Sequence, residues 1–156
     1  MIVAAEVITG GNERARLQPM ADAAEAELKQ AGIEELPGTA LADAGYWNSP
    51  HIEALEAKGI RVLVPPDADT RKEPTKIRSG PRYERMRERL KEPDNEAAYR
   101  RRQQMIEPVF AQIKVGLRAG RFQRRGLAAC RSEWRLIAAT HNLLKLHRSG
   151  LGLAGA

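Results

Sequence analysis

Three short β-prone runs alternate with two helix-forming stretches over the first 66 residues of this 156-residue chain. That alternation limits the fold more than any other feature. Residues 2–8 form the first run, stopped by Thr9, Gly10, Gly11 and Asn12. Residues 20–30 are acidic and rich in Ala, and read as a helix ended by Ala31 and Gly32. Leu36, Pro37 and Gly38 turn the chain into a second strand over 39–44. Asn48, Ser49 and Pro50 make a cap signal with proline at the first helical position, and that helix reaches about Lys58 and Gly59. Residues 61–64 form a third strand, closed by Pro65 and Pro66. This order predicts an α/β unit with parallel pairing among the later strands, while the first run could pair either way. The length allows one domain with a moderate core.

The remainder reads as helical. Residues 67–81 are polar, basic and Pro-containing, with little periodicity, and predict a flexible linker. A short charged helix over 82–90 is broken by Pro93, Asp94 and Asn95, which cap a long helix from Glu96. A last helix covers 128–147, and 149–156 read as a frayed tail. Ile106, Val109, Phe110, Ile113 and Leu117 recur at three- and four-residue steps, an apolar stripe of helical period. Arg100, Glu107 and Lys114 are spaced by seven residues, a drift of only ~20°, which predicts that they share one edge of the helix, next to the apolar stripe. Pro108 predicts a helix start or kink beside Glu107. Trp134, Leu136, Ile137, Leu143, Leu144 and Leu146 read as core.

The net charge of +6 is unevenly divided. Residues 1–66 carry ten acids against five bases, net −5, and residues 67–156 carry ten acids against twenty-one bases, net +11. A basic second half points to nucleic acid, with a solvated Arg-rich surface or an anionic protein partner as the alternatives. Inside this half Glu107 is the one acid between Glu96 and Glu133. The residues one helical turn away are Gln103, Gln104, Phe110 and Ala111, none of them a cation. A carboxylate among so many cations suits a metal ligand beside a polyphosphate, or a solvated surface residue. A single cysteine, Cys130, excludes a disulfide framework and a CxxC metal pattern, and reads as a buried structural thiol. His51, His141 and His147 have no shared metal spacing. The first residues lack the pattern of a secretion signal and no segment approaches a membrane span, so the expected location is the bacterial cytoplasm, on the nucleoid.

Three segments together resemble the C-terminal part of the DDE catalytic domain of bacterial insertion-sequence transposases, in the branch marked by a Tyr-Arg-Glu-Lys signature. Tyr99 to Arg102 and Glu107 to Lys114 match its spacings, although four residues rather than three separate Arg102 from Glu107. Leu41-Ala42-Asp43-Ala44-Gly45-Tyr46-Trp47 is similar to the family's second-aspartate motif. Residues 131–148, with Glu133, Asn142, Leu143 and Leu146, resemble its terminal helix. The resemblance runs over about residues 1–148. It implies a partial ribonuclease H-like fold with three central strands, flanking helices and C-terminal helices.

It also implies roles. Asp43 and Glu107 become the second and third acids of the site, catalytic and binding Mg²⁺ (or Mn²⁺), though an Asp before Gly45 also suits an ordinary turn. Tyr99, Arg102, Lys114, Arg121, Arg124 and Arg125 become DNA contacts, with a packing role for Tyr99 and a solvated role for Lys114 as the alternatives. Nothing in the sequence matches the first aspartate, and Asn12 with Glu13 stands where relatives tend to carry Asn-Asp. The expected function is metal-dependent DNA strand cleavage and transfer in transposition by a truncated copy, inactive alone, or a catalytically inactive DNA-binding remnant. The expected partners are insertion-element ends, a second copy of the chain, or an upstream transposase fragment.

Overall fold

The structure is a computed structural model, and it describes residues 1–67 and 77–150. Most of the linker expected at 67–81 and most of the expected tail lie outside the described residues. The chain divides into two compact units, one of Gly11–Gln103 and one joining Met1–Gly10 to Gln104–Ala156.

The first unit holds α1 (Leu17–Gln30), β1 (Thr39–Leu41), α2 (Ser49–Ala57), β2 (Arg61–Leu63), α3 (Pro81–Lys91) and the start of α4 (Pro93–Ala111). β1 and β2 pair in parallel, with Thr39 opposite Arg61 and Leu41 opposite Leu63, and α2 makes the crossover. Asn48 caps α2 by accepting the His51 N–H at 3.3 Å, and Pro50 lies in the first turn, where its missing N–H costs nothing. Val62, Leu63 and Val64 are fully buried, so both faces of β2 are covered, as a parallel strand requires. Leu17, Trp47, Ile52, Leu55, Ile60 and Met86 pack around Val62 and Val64, and Trp47 stacks on Tyr83 at 5.0 Å. On the surface Lys58 reaches both Asp22 and Glu25 of α1 at 2.8 Å, and Lys29 also bonds Glu25. The hydrogen bonds from Lys29 and Lys58 hold the Glu25 carboxyl down at about 2.

The α3–α4 junction turns on Asn95. It is buried, yet it accepts from Arg61 and donates to the Arg89 carbonyl and the Glu92 carboxylate. α4 therefore starts at Pro93, earlier than the Glu96 start expected from sequence. Nor does a helix start near Glu107: α4 continues through Pro108 to Ala111 and passes into a π-helical turn, Gln112–Gly116.

The second unit contains that turn and α5 (Leu127–Arg148). Here the expected strand over 2–8 does not form, and the described residues carry two strands rather than three. A strand needs a ladder partner. Instead Asn142 satisfies both backbone groups of Ile2, accepting its N–H at 2.8 Å and donating to its C=O at 2.7 Å. Arg131 donates to the Val7 carbonyl, and Glu6 pairs with Arg131 and Arg135. Side chains of α5 thus take the place of a neighbouring strand.

His141 of α5 is 2% exposed, and neither ring nitrogen has a hydrogen-bond partner among the described residues. Burial, then the chain's amino group and Lys145, push its pKa below 6.5. A base held neutral in the fold loses stability as pH drops through its unfolded value toward the folded one, because only the unfolded chain takes up the proton. His141→Leu should therefore raise stability by about 1–3 kcal/mol, the cost of an unsatisfied buried polar group. It should also remove part of the decline in stability as pH falls below about 6.5. Urea unfolding at two pH values checks this, and equal stability and slope in both proteins would contradict it.

Candidate carboxylate site and nucleic-acid interface

Asp43 lies two residues beyond β1, in an extended conformation immediately before the short 3₁₀ turn Ala44–Tyr46, without a capping hydrogen bond from its side chain. It ends no strand, because β1 stops at Leu41. One oxygen of its carboxylate, Oδ1, receives the Arg102 guanidinium at 2.6 Å. The Asp43 side chain is 58% exposed and that of Arg102 only 19%. Tyr99 completes the group, donating to the Ala42 carbonyl at 3.4 Å while the Arg102 guanidinium sits 5.3 Å from its ring centre. Three residues expected to act in DNA chemistry are therefore held together in the first unit. Glu13 joins this surface: a Cβ on Gly45 would collide with its carboxylate oxygen. Burial first, then the charges of Glu13 and Asp43, push the Tyr46 hydroxyl pKa up. In the sequence Glu13 stands out only as a departure from the family pattern, since no local signal ties it to Gly45.

Five acids within residues 1–67 pair with six arginines beyond residue 77. In the first unit these are Asp43 with Arg102, Glu53 with Arg82, Glu56 with Arg89 and Asp67 with Arg87. In the second, Glu6 holds Arg131 and Arg135. Much of the charge imbalance between the halves is thus neutralised within the molecule. Ion pairs as exposed as these contribute little stability singly, but they remove cations from the set that faces solvent unpaired.

Exposed cations that make no ion pair among the described residues remain in both units, Arg14, Arg85, Lys91 and Arg101 in the first, and in the second they include a closely spaced run. Lys114, Arg118, Arg121, Arg124 and Arg125 are exposed and make no ion pair among the described residues. Lys114 lies in the π-helical turn that follows α4. Leu117 and Ala119 donate back to Gln112 and Ile113, and Arg118 adopts φ 52° to close the turn. Such a left-handed residue is ordinarily glycine, and arginine there costs about 1 kcal/mol. The loop that follows is fixed from beneath by α5. Glu133 accepts the Gln123 and Arg124 N–H groups at 2.8 and 3.0 Å, Cys130 donates to the Arg124 carbonyl at 3.3 Å, and Phe122 meets Trp134 edge-on at 6.4 Å. Cys130 is half-buried in this contact rather than sunk in a core.

The family described as the transposase DDE domain matches residues 68–147, just over half of the chain. This chain belongs to the DDE-domain transposases. No curated protein and no solved structure matches it. The matched span of this transposase chain holds Tyr99, Arg102, Glu107, Lys114 and the loop arginines, while Asp43 lies outside it. Glu107 is exposed on α4 in the second unit. Among the described residues no three His, Cys, Asp or Glu side chains lie close enough to hold a metal together, and no helix is long and apolar enough to cross a membrane. The apolar stripe of the transposase's long helix is only partly buried: Ile113 is 2% exposed, but Ile106 and Phe110 face solvent. Leu136 and Leu143 of α5, expected in the core, are also exposed.

Proposed function

We propose that this chain acts on duplex DNA in transposition. It binds the phosphate backbone through Lys114, Arg121, Arg124 and Arg125, and uses Asp43 and Glu107 as Mg²⁺ or Mn²⁺ ligands for phosphodiester cleavage and strand transfer at insertion-element ends. The observation that carries the DNA reading is the run of uncompensated cations from Lys114 to Arg125, inside the span that matches the transposase DDE domain. Asp43, though paired with Arg102, is more than half exposed. It suits a hard cation that keeps several waters and draws further ligands from substrate phosphates. Bound there, such a cation would activate the attacking oxygen or stabilise the leaving one. Tyr99 and Arg102 would meet DNA from beside Asp43, with Arg102 free to exchange one anion for another. The same reading puts the chain on the nucleoid, with a second copy or a further transposase segment as candidate partners in the reaction.

A second reading is a DNA-binding remnant without turnover. It is supported by the Arg102–Asp43 pair, since the guanidinium competes with a metal for the same oxygen. Supercoiled DNA bearing intact element ends separates the two when incubated with Mg²⁺ and then Mn²⁺. Strand cleavage that disappears in Asp43→Ala and Glu107→Ala supports the enzyme. Retained DNA binding with no cleavage under either metal supports the remnant. A chain that binds no DNA at low salt would sink both.

A further inference from the structure

Glu133 is an acid of α5 seated against the loop that carries Arg121, Arg124 and Arg125. Its two carboxylate oxygens each take one of two successive backbone N–H groups, those of Gln123 and Arg124. A carboxylate accepting two amides in this way is a strong, charge-assisted anchor. Both amides belong to the loop that carries Arg121, Arg124 and Arg125. Two further contacts hold the same loop from the same helix: the Cys130 thiol on the Arg124 carbonyl and the Trp134 ring against Phe122. The backbone of the loop is therefore turned toward α5 while residues 121–125 all remain exposed.

We propose that Glu133 is a positioning residue for DNA binding: it fixes the 121–125 loop so that its three arginines are presented in a preset arrangement to backbone phosphates. This rests on the reading that the chain binds DNA. Preorganisation lowers the ordering cost of binding, which long arginine side chains on a loose loop would otherwise incur. The role sets two physical effects against each other. Glu133 repels phosphate as a charge and favours phosphate binding as an anchor. On Coulomb grounds alone, removing it should tighten DNA binding. If anchoring dominates, removing it weakens binding.

The experiment measures fluorescence anisotropy of a labelled random-sequence duplex of about thirty base pairs, across a salt series, with the full chain. Glu133→Ala should bind about tenfold more weakly than wild type near 0.1 M salt, with a shallower dependence of affinity on salt. Glu133→Gln keeps one acceptor oxygen and should fall between the two. Phe122→Ala loosens the same loop without changing any charge, and should also weaken binding. Thermal melts establish which variants are folded, and Phe122→Ala decides the matter if the Glu133 variants do not fold. A folded Glu133 variant that binds as tightly as wild type, or more tightly, overturns the proposal, and so does unchanged binding by Phe122→Ala. A wild-type chain that fails to bind the duplex refutes instead the DNA reading on which the proposal rests.

Discussion

Replacing Lys114, Arg121, Arg124 and Arg125 together with alanine is expected to flatten the salt dependence of DNA binding by about 3 to 4 in log–log slope. Each cation that neutralises one phosphate releases condensed counterions and contributes about 0.9 to that slope. The same arithmetic sets the loss of affinity, about 10³-fold or more near 0.1 M salt and shrinking to about tenfold near 0.5 M. These four residues are chosen because they are exposed and make no ion pair among the described residues. A control replaces three arginines of α3, Arg82, Arg87 and Arg89. Those arginines are already engaged by Glu53, Asp67 and Glu56, and Arg87 also donates to the Arg78 carbonyl. Their loss should lower the stability of the first unit and leave the salt slope nearly unchanged. Equal effects of the two sets on the slope, per charge removed, would mean that net charge, not the segment from Lys114 to Arg125, drives binding.

Leu55→Ala is expected to cost about 2–5 kcal/mol of stability in the first unit, through lost transfer energy and the cavity left behind. Leu55 is completely buried in α2, in one cluster with Ile60, Val62 and Val64. The core there is small, with β-strands of three residues each, so the site has little freedom to collapse around the gap. A domain stable by about 5–15 kcal/mol loses much of its margin. Leu136→Ala and Leu143→Ala supply the contrast, since both side chains are about two-thirds exposed and should cost under about 0.5 kcal/mol. Urea unfolding followed by circular dichroism gives all three values. A loss below about 1 kcal/mol for Leu55→Ala, or one as large for the exposed leucines, would contradict this account of the core.

The elements legible in the sequence are those whose signals are local. Asn48 with Pro50 announced the start of α2, and Gly59 with Pro65 bounded the strand that became β2. The parallel pairing of β1 with β2 followed from the strand–helix–strand order. The transposase family was legible too, from Tyr99, Glu107, Lys114 and the segments around them, and the matched span covers those three residues. The first run was misread because β propensity over residues 2–8 says nothing about whether a ladder partner exists. Asn142, 140 positions away, took the backbone groups of Ile2 instead. The apolar stripe from Ile106 to Leu117 was real as a period, but a period does not state what covers it.

By itself the sequence determined the helices, the crossover, the family and the basic excess of the second half. Each of these depends on residue type, on spacing within a few residues, or on a sum over the chain. Only the tertiary structure decided which charges are spent inside the molecule and which remain for a partner. Glu6 meets Arg135 across 129 positions of sequence, and Asp43 meets Arg102 at 2.6 Å. No periodicity encodes such meetings, because they arise when packed elements bring distant side chains within a few ångströms, where Coulomb attraction and hydrogen bonding are short-ranged in water. The same packing seated the Glu133 carboxylate on the amides of Gln123 and Arg124, and so gave a shape to the basic loop that its composition does not contain.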